Sequence, residues 1–315
     1  NNFFTINPIF FFSSLFLILY FLQIYLFFKI FEKYLNSYFV FFIIFLSPSL
    51  ILFHIYDPNL YFLKDIFIKL SILLHAYLIL SFVIIKKNTE KYIFLLKFII
   101  IPILSLVILI HEYQVIFLSI HYLFSLSIVR NKKSIYQINK IYLILLIPII
   151  LVLIYIGDQT QYENLNQILS KFGVEVHSQL GGGFYKALGG FYKWHFFYFS
   201  YRDFVNLFFS LFLSIMVFYL LFHYLIEQSI LKFHSNYQKK YFLYFVPTLI
   251  SFILAVDHGR NISLISIHLI AFYSILILDL KKFDLLRVRV NKSFFIKVML
   301  LIFLFFYIFM WKLDQ

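Results

Sequence analysis

PIFFFSSLFLILYFLQIYLFF, residues 8–28, offers about 20 mostly apolar residues without a charge, and a helix of that length crosses roughly 30 Å of hydrocarbon. Similar runs recur along the whole chain, at about 8–28, 38–56, 66–85, 92–110, 113–129, 141–156, 204–226, 241–256, 262–279 and 294–311. The expected fold is therefore all-α, a polytopic integral membrane bundle of about ten transmembrane helices with one long outer loop, forming a single domain. Residues 92–129 must hold two of these helices. One straight helix over that stretch would run to roughly 57 Å, nearly twice the apolar thickness.

Composition points the same way. Of 315 residues, 63% are apolar and 13% charged, against about half and about a quarter in ordinary soluble domains. Mean hydropathy is +0.91. The 46 Phe and 25 Tyr accompany an excess of Ile, Lys and Asn, all residues of AT-rich codons, so a single aromatic carries almost no functional weight. The absence of cysteine excludes disulfides, thiolate chemistry and Cys-ligated metal. The chain opens NNFF, without an initiator Met or a recognisable signal peptide. Further N-terminal residues, a helix among them, are expected ahead of it.

A net charge of +13 would point to nucleic acid in a soluble protein. Here its distribution matters more, and no nucleic-acid partner is expected. Alternate connections carry the basic clusters: Lys29 and Lys33; Lys86, Lys87 and Lys91; Arg130, Lys132, Lys133 and Lys140; Lys232, Lys239 and Lys240; and five more between Lys281 and Lys292. By the positive-inside rule these connections face the cytoplasm. Residues 111–114, 157–203 and 257–261 then lie outside, in a chain integral to a bacterial cytoplasmic membrane. Lys69, Lys97 and Lys297 fall near span ends, where they are expected to snorkel. The outer face collects nine of the fourteen carboxylates: Asp57, Asp65, Glu112, Asp158, Glu163, Glu175, Asp203, Asp257 and Asp314.

The outer loop 157–203 opens with an amphipathic pattern. Asp158 and Gln161 resemble a capping box, Tyr162, Leu165, Ile168, Leu169 and Phe172 share a helical face, and Gly173 suits the stop. A seven-residue repeat follows, GGFYKAL (182–188) and GGFYKWH (189–195). Flexible glycine-rich backbone beside Lys186, Lys193, Trp194 and His195, with Arg202 beyond, suits an anionic, sugar-bearing ligand. An interfacial aromatic belt with anchoring lysines accounts for the same residues one by one. For the loop as a whole the reading is a binding lid, since structureless loops this long are uncommon unless functional or disordered.

Two tight outer turns resemble each other. HEYQVIFLSIH (111–121) and HGRNISLISIH (258–268) align on both histidines and on SIH, which fits a parallel internal repeat. Ten helical residues rise about 15 Å, so His121 and His268 fall near mid-membrane. Gln114, His121 and Ser125 share one helical face, and Asn261 and His268 another. The expected role of the deep histidines is hydrogen bonding between helices.

In VDHGRN (256–261) helix capping by Gly259 and Asn261, with Asp257 paired to Arg260, explains the residue types. It explains less well the short span before the turn, which recesses these charges toward hydrocarbon at roughly 2.5–3.5 kcal/mol each. Arg260 meeting an anion and a carboxylate taking a proton accounts for both. Asp257, Glu112, His258 and His111 are accordingly the candidate catalytic groups. Arg260, Asn261, Lys186, Lys193, Arg202, Trp194 and His195 are the candidate substrate-binding groups. No metal-ligand spacing is present and no cofactor is expected.

About ten helices, a cytoplasmic positive bias, a large outer loop in the second half, and DHGRN (257–261) on an outer turn resemble bacterial membrane proteins of surface-polysaccharide assembly, of the O-antigen polymerase and ligase type. The resemblance implies a polyprenyl-pyrophosphate-linked glycan as substrate, with Arg260 and basic loop residues on the pyrophosphate, and other polysaccharide-assembly proteins as partners beside the lipid bilayer. The long loop has one arginine, Arg202, where such enzymes typically use several. A transporter or lipid-glycan flippase would instead use a polar path through His121, His268 and their neighbours. A membrane acyltransferase would use His111 or His258 as base.

Overall fold

The computed structural model of this chain describes residues 8–31, 46–47, 65–111, 114–129, 131–155, 263–268, 270–271 and 294–313, with single residues at 167, 170, 205, 208 and 212. Every regular element among them is helical, and there is no strand among the described residues. In chain order the elements are α1 (Pro8–Phe31), α2 (Asp65–Ile85), α3 (Thr89–Ile110), α4 (Gln114–Ile128), α5 (Lys132–Leu143), α6 (Leu146–Tyr155) and α7 (Phe294–Leu313). Among the described residues, four helical stretches are long and apolar enough to cross a membrane: α1, α2, α3 and the stretch Lys132–Val152 made by α5 and α6.

Polarity is distributed inside out. α1 turns Leu17, Ile18 and Phe21 outward while Gln23 is fully buried. α2 buries Asp65, Lys69, Ser71 and His75 completely, and α3 exposes Phe94, Phe98 and Leu106. Water does not tolerate apolar flanks of this extent, and a bilayer covers them without cost. The apolar helices are thus compatible with a membrane protein. Packing organises itself around α2, whose Ile68, Ile72, Ala76 and Ile79 are fully buried. It lies against α1 on one side and α3 and α4 on the other, and α3 in turn packs on α5 and α6.

The break expected within 92–129 is present. α3 stops at Ile110, His111 adopts an extended backbone (φ −146°, ψ 101°), and helix resumes at Gln114. Two prolines shape the spans in opposite ways. A prolyl nitrogen cannot donate to the carbonyl four residues back, so the preceding turn must change its hydrogen-bond pattern. Ahead of Pro102, residues Leu96–Ile100 widen into a π turn, with the Ile101 N–H donating to Leu96 C=O. Ahead of Pro148 the chain tightens instead, with Ile144 and Leu145 donating three residues back to Ile141 and Tyr142. A second π segment, Ile79–Ile85, closes α2, and Lys86 after it donates to Ser81 C=O.

Two expectations need correction. The basic segment 132–140 is not a connection: helix begins at Lys132, nine residues earlier than the apolar run at 141 implied. Asn131 caps it by accepting from the Lys133 N–H at 3.0 Å, and Ser134, Ile138 and Ile141 face inward while the lysines stay exposed. Nor does Lys69 snorkel. It is fully buried one turn below Asp65, facing the bundle interior. Lys97, by contrast, is exposed with its Nζ over the Phe98 ring at 5.1 Å. The runs expected at 38–56, 204–226 and 241–256 fall almost wholly outside the described residues. The run at 262–279 is represented by helical residues 263–268 and 270–271. Of the amphipathic helix expected at 158–172, Gln167 and Ser170 are described, both helical and exposed, with the Ser170 hydroxyl donating to Gln167 C=O at 3.0 Å.

Candidate functional site

Because α2 and α3 are antiparallel neighbours, the start of α2 and the end of α3 share one end of the bundle. A buried hydrogen bond forms there: His111 Nε2 lies 2.9 Å from Asp65 Oδ1, with Asp65 fully buried. A carboxylate only accepts, so the imidazole donates from Nε2, and a neutral His111 keeps Nδ1 as an acceptor. A carboxylate that fixes the tautomer of a histidine is the arrangement that orients a general base. The opposite end gathers Lys86, Lys87, Lys97 and Lys133 around the starts of α3 and α5. One end therefore carries a carboxylate and an imidazole, with buried Lys69 one turn below, and the other carries four lysines.

Between the ends lies a closed polar cluster. Ser125 donates its only hydroxyl proton to the His121 carbonyl at 3.0 Å, because a carbonyl cannot donate. Ser125 Oγ therefore accepts from the Tyr92 hydroxyl at 2.9 Å and from the Tyr142 hydroxyl at 3.2 Å. With the Tyr92 proton committed, His75 Nε2 must donate to Tyr92 Oη at 2.9 Å. A neutral His75 then has Nδ1 as an acceptor, and the 3.0 Å contact to His121 is donated by His121 Nδ1. The His75 and His121 rings stack with centroids 5.2 Å apart, and Phe124 meets His75 edge-on. Each bond of this kind contributes roughly 0.6–2 kcal/mol between membrane helices.

His268 completes the cluster from the second half of the chain. Its Nδ1 donates to Leu264 C=O at 2.6 Å, its ring stacks on Phe117 at 4.5 Å, and it meets His121 edge-on at 5.8 Å. Leu264 and Ile265 pack with Ile68, Val107, Phe117 and Ile120, near the Asp65–His111 end. Ile267, Ile270 and Ala271 join the main core further along. Residues 263–268 and 270–271 therefore descend from that end beside α4, with the His268 ring beside that of His121. Among the described residues, His121 Nε2, His268 Nε2, both side-chain polar atoms of Gln114 and Ser263 Oγ are buried without a hydrogen-bond partner. The two histidine tautomers make both Nε2 atoms acceptors. The interior thus presents two imidazole lone pairs and one amide to anything that enters it.

Of the residues singled out in the sequence, His111, Gln114, His121 and His268 are described, and all four are buried in this seam. Gln114, His121 and Ser125 do share one face of α4; His121 bonds across to His75 on α2, whereas His268 bonds within its own helix to Leu264 C=O. Glu112, Asp257, His258, Arg260, Asn261, Lys186, Lys193, Trp194, His195 and Arg202 lie outside the described residues. Sequence reasoning missed His75, Tyr92 and Tyr142 and gave Asp65 no role. The available signal for His75 and Asp65 was their occurrence in an otherwise apolar run, the mark of an intramembrane polar site. No group of three or more His, Asp or Glu among the described residues is arranged to hold a metal ion. Comparison with protein families, characterised proteins and solved structures finds no match to this chain.

Proposed function

We propose that this chain is a polytopic protein of about ten transmembrane helices in a bacterial cytoplasmic membrane. In this reading it acts as a lipid-linked glycan polymerase or related glycosyltransferase at the outer face. The observation that supports this best is the descent of residues 263–268 and 270–271 from the Asp65–His111 end of the bundle. DHGRN (257–261) precedes Ser263 by a single intervening residue, Ile262, and in this reading its Asp and Arg act at the end that carries a carboxylate-oriented histidine.

In the reaction we infer, an acceptor sugar hydroxyl attacks the anomeric carbon of a glycan carried on polyprenyl pyrophosphate. The new glycosidic C–O bond forms as the anomeric C–O bond to pyrophosphate breaks, and the leaving pyrophosphate takes the electron pair. The hydroxyl proton passes to a base, Asp257, Glu112 or the Asp65-oriented His111. Arg260 with Lys186, Lys193 and Arg202 offsets the charge developing on the leaving group. Asn261, Trp194, His195 and His258 line the same outer region.

A second reading, a transporter or lipid-glycan flippase, is favoured by the unpartnered Gln114, His121 and His268 atoms in the interior. Cells carrying Arg260→Ala separate the two. Polymerisation at the outer face predicts a loss of polymerised surface glycan of about 100-fold or more, with single lipid-linked units still displayed outside and the protein still inserted. Normal chain length in that strain removes the polymerase reading. Lipid-linked units retained on the cytoplasmic side favour the flippase.

A further inference from the structure

At the basic end, α3, α5 and the turn before α3 enclose a cleft of about 770 Å³, within the range of about 300–1,000 Å³ typical of ligand sites. Lys86, Lys87, Lys97 and Lys133 line it, with Glu90 as the one carboxylate. Among the described residues none of these four ammoniums is ion-paired; Lys86 and Lys97 rest over the Phe82 and Phe98 rings instead. Four unneutralised cations around one concave space repel one another, and that repulsion falls when an anion occupies the cleft.

The cleft is also amphipathic. Its flank along α3 is formed by Phe94 and Phe98, which are 58% and 56% exposed, with ring centroids 4.7 Å apart. Lys97 shares that flank. It lies eight residues beyond Thr89, about 12 Å along the helix axis, so its charge sits beside an apolar surface two turns from the helix end. A soluble anion neutralises the lysines at the rim but does nothing for the phenylalanines. A lipid headgroup with its attached chain satisfies both.

We propose that this cleft binds an anionic phospholipid of the adjoining leaflet, with its phosphate among Lys86, Lys87 and Lys133 and an acyl chain along Phe94 and Phe98. Lys97 meets the phosphate from the membrane side. This site is separate from the glycan-transfer reading and stands or falls independently of it.

Native mass spectrometry of the full chain, purified in detergent with phosphatidylglycerol and phosphatidylcholine supplied together, tests the assignment. Phosphatidylglycerol is expected to be retained preferentially, and its retention to weaken roughly fivefold for each cleft lysine removed, in Lys87→Gly and Lys133→Gln. Lys87 is the one described non-glycine residue with a left-handed backbone (φ 52°), a conformation glycine adopts without steric cost. Lys87→Gly should therefore melt no lower than the parent while losing lipid. If Lys87→Gly fails to fold, Lys133→Gln alone decides. Lys140→Gln, on α5 but outside the cleft with its Nζ over the Tyr136 ring, should keep the lipid. Equal retention of the two lipids, or the same loss in Lys140→Gln, overturns the site. Displacement of phosphatidylglycerol by millimolar inorganic phosphate assigns the cleft to a soluble anion and overturns the lipid.

Discussion

Tyr92 holds the central cluster together at the scale of single residues. It is fully buried, accepts from His75 and donates to Ser125. Tyr92→Phe removes both bonds with little change in volume, at an expected cost of about 1–2 kcal/mol in unfolding free energy measured in detergent. Tyr122→Phe is the contrast. Its hydroxyl donates to Asn139 at 3.0 Å on an exposed flank, so its loss should cost less than half as much; equal costs would contradict a central role for the Tyr92 bonds. The Gln114, His121 and Ser125 face was legible in the sequence because it rests on spacing along one helix. The partnership of His75 with His121, 46 positions apart, was not. Which helix faces which is decided by packing, and no spacing rule within a single run encodes it.

The helices themselves were legible where they depend on length and composition. That residues 92–129 hold two helices followed from the membrane thickness, and the place of the break from the polar turn at 111–114. The π turn ahead of Pro102 did not, because proline forces a change of hydrogen-bond pattern without dictating whether the turn widens or tightens, as Pro148 shows. That widening has a structural effect. An extra residue in the turn rotates the helix before it by about 100° relative to the helix beyond it, and the expected consequence is the face on which Tyr92 meets His75. Pro102→Ala restores the missing donor and lets Leu96–Ile100 return to α-helical pairing. In that background the cost of Tyr92→Phe should fall toward zero. Strictly additive costs in the double-mutant cycle would show that the wide turn does not position Tyr92.

For the molecule as a whole, the separation of Asp65–His111 from the lysines at the other end agrees with the charge bias read along the chain. That bias also fixes an expected orientation. The chain has no native cysteine, so single cysteines report cleanly. A cysteine at position 87 should react with an impermeant thiol reagent only from the cytoplasmic side, and one at position 258 only from outside. The reverse pattern would invert the topology and move any outer-face chemistry with it. The central cluster bears on whether this bundle conducts. The hydrogen bonds that leave the His121 ring pass through His75, Tyr92 and Ser125 and return to the carbonyl of His121 itself, while Tyr142 only feeds into them. A circuit that closes on its own starting residue has no exit. Among the described residues it works as a latch between three helices, and its own bonds lead from neither side of the bundle to the other.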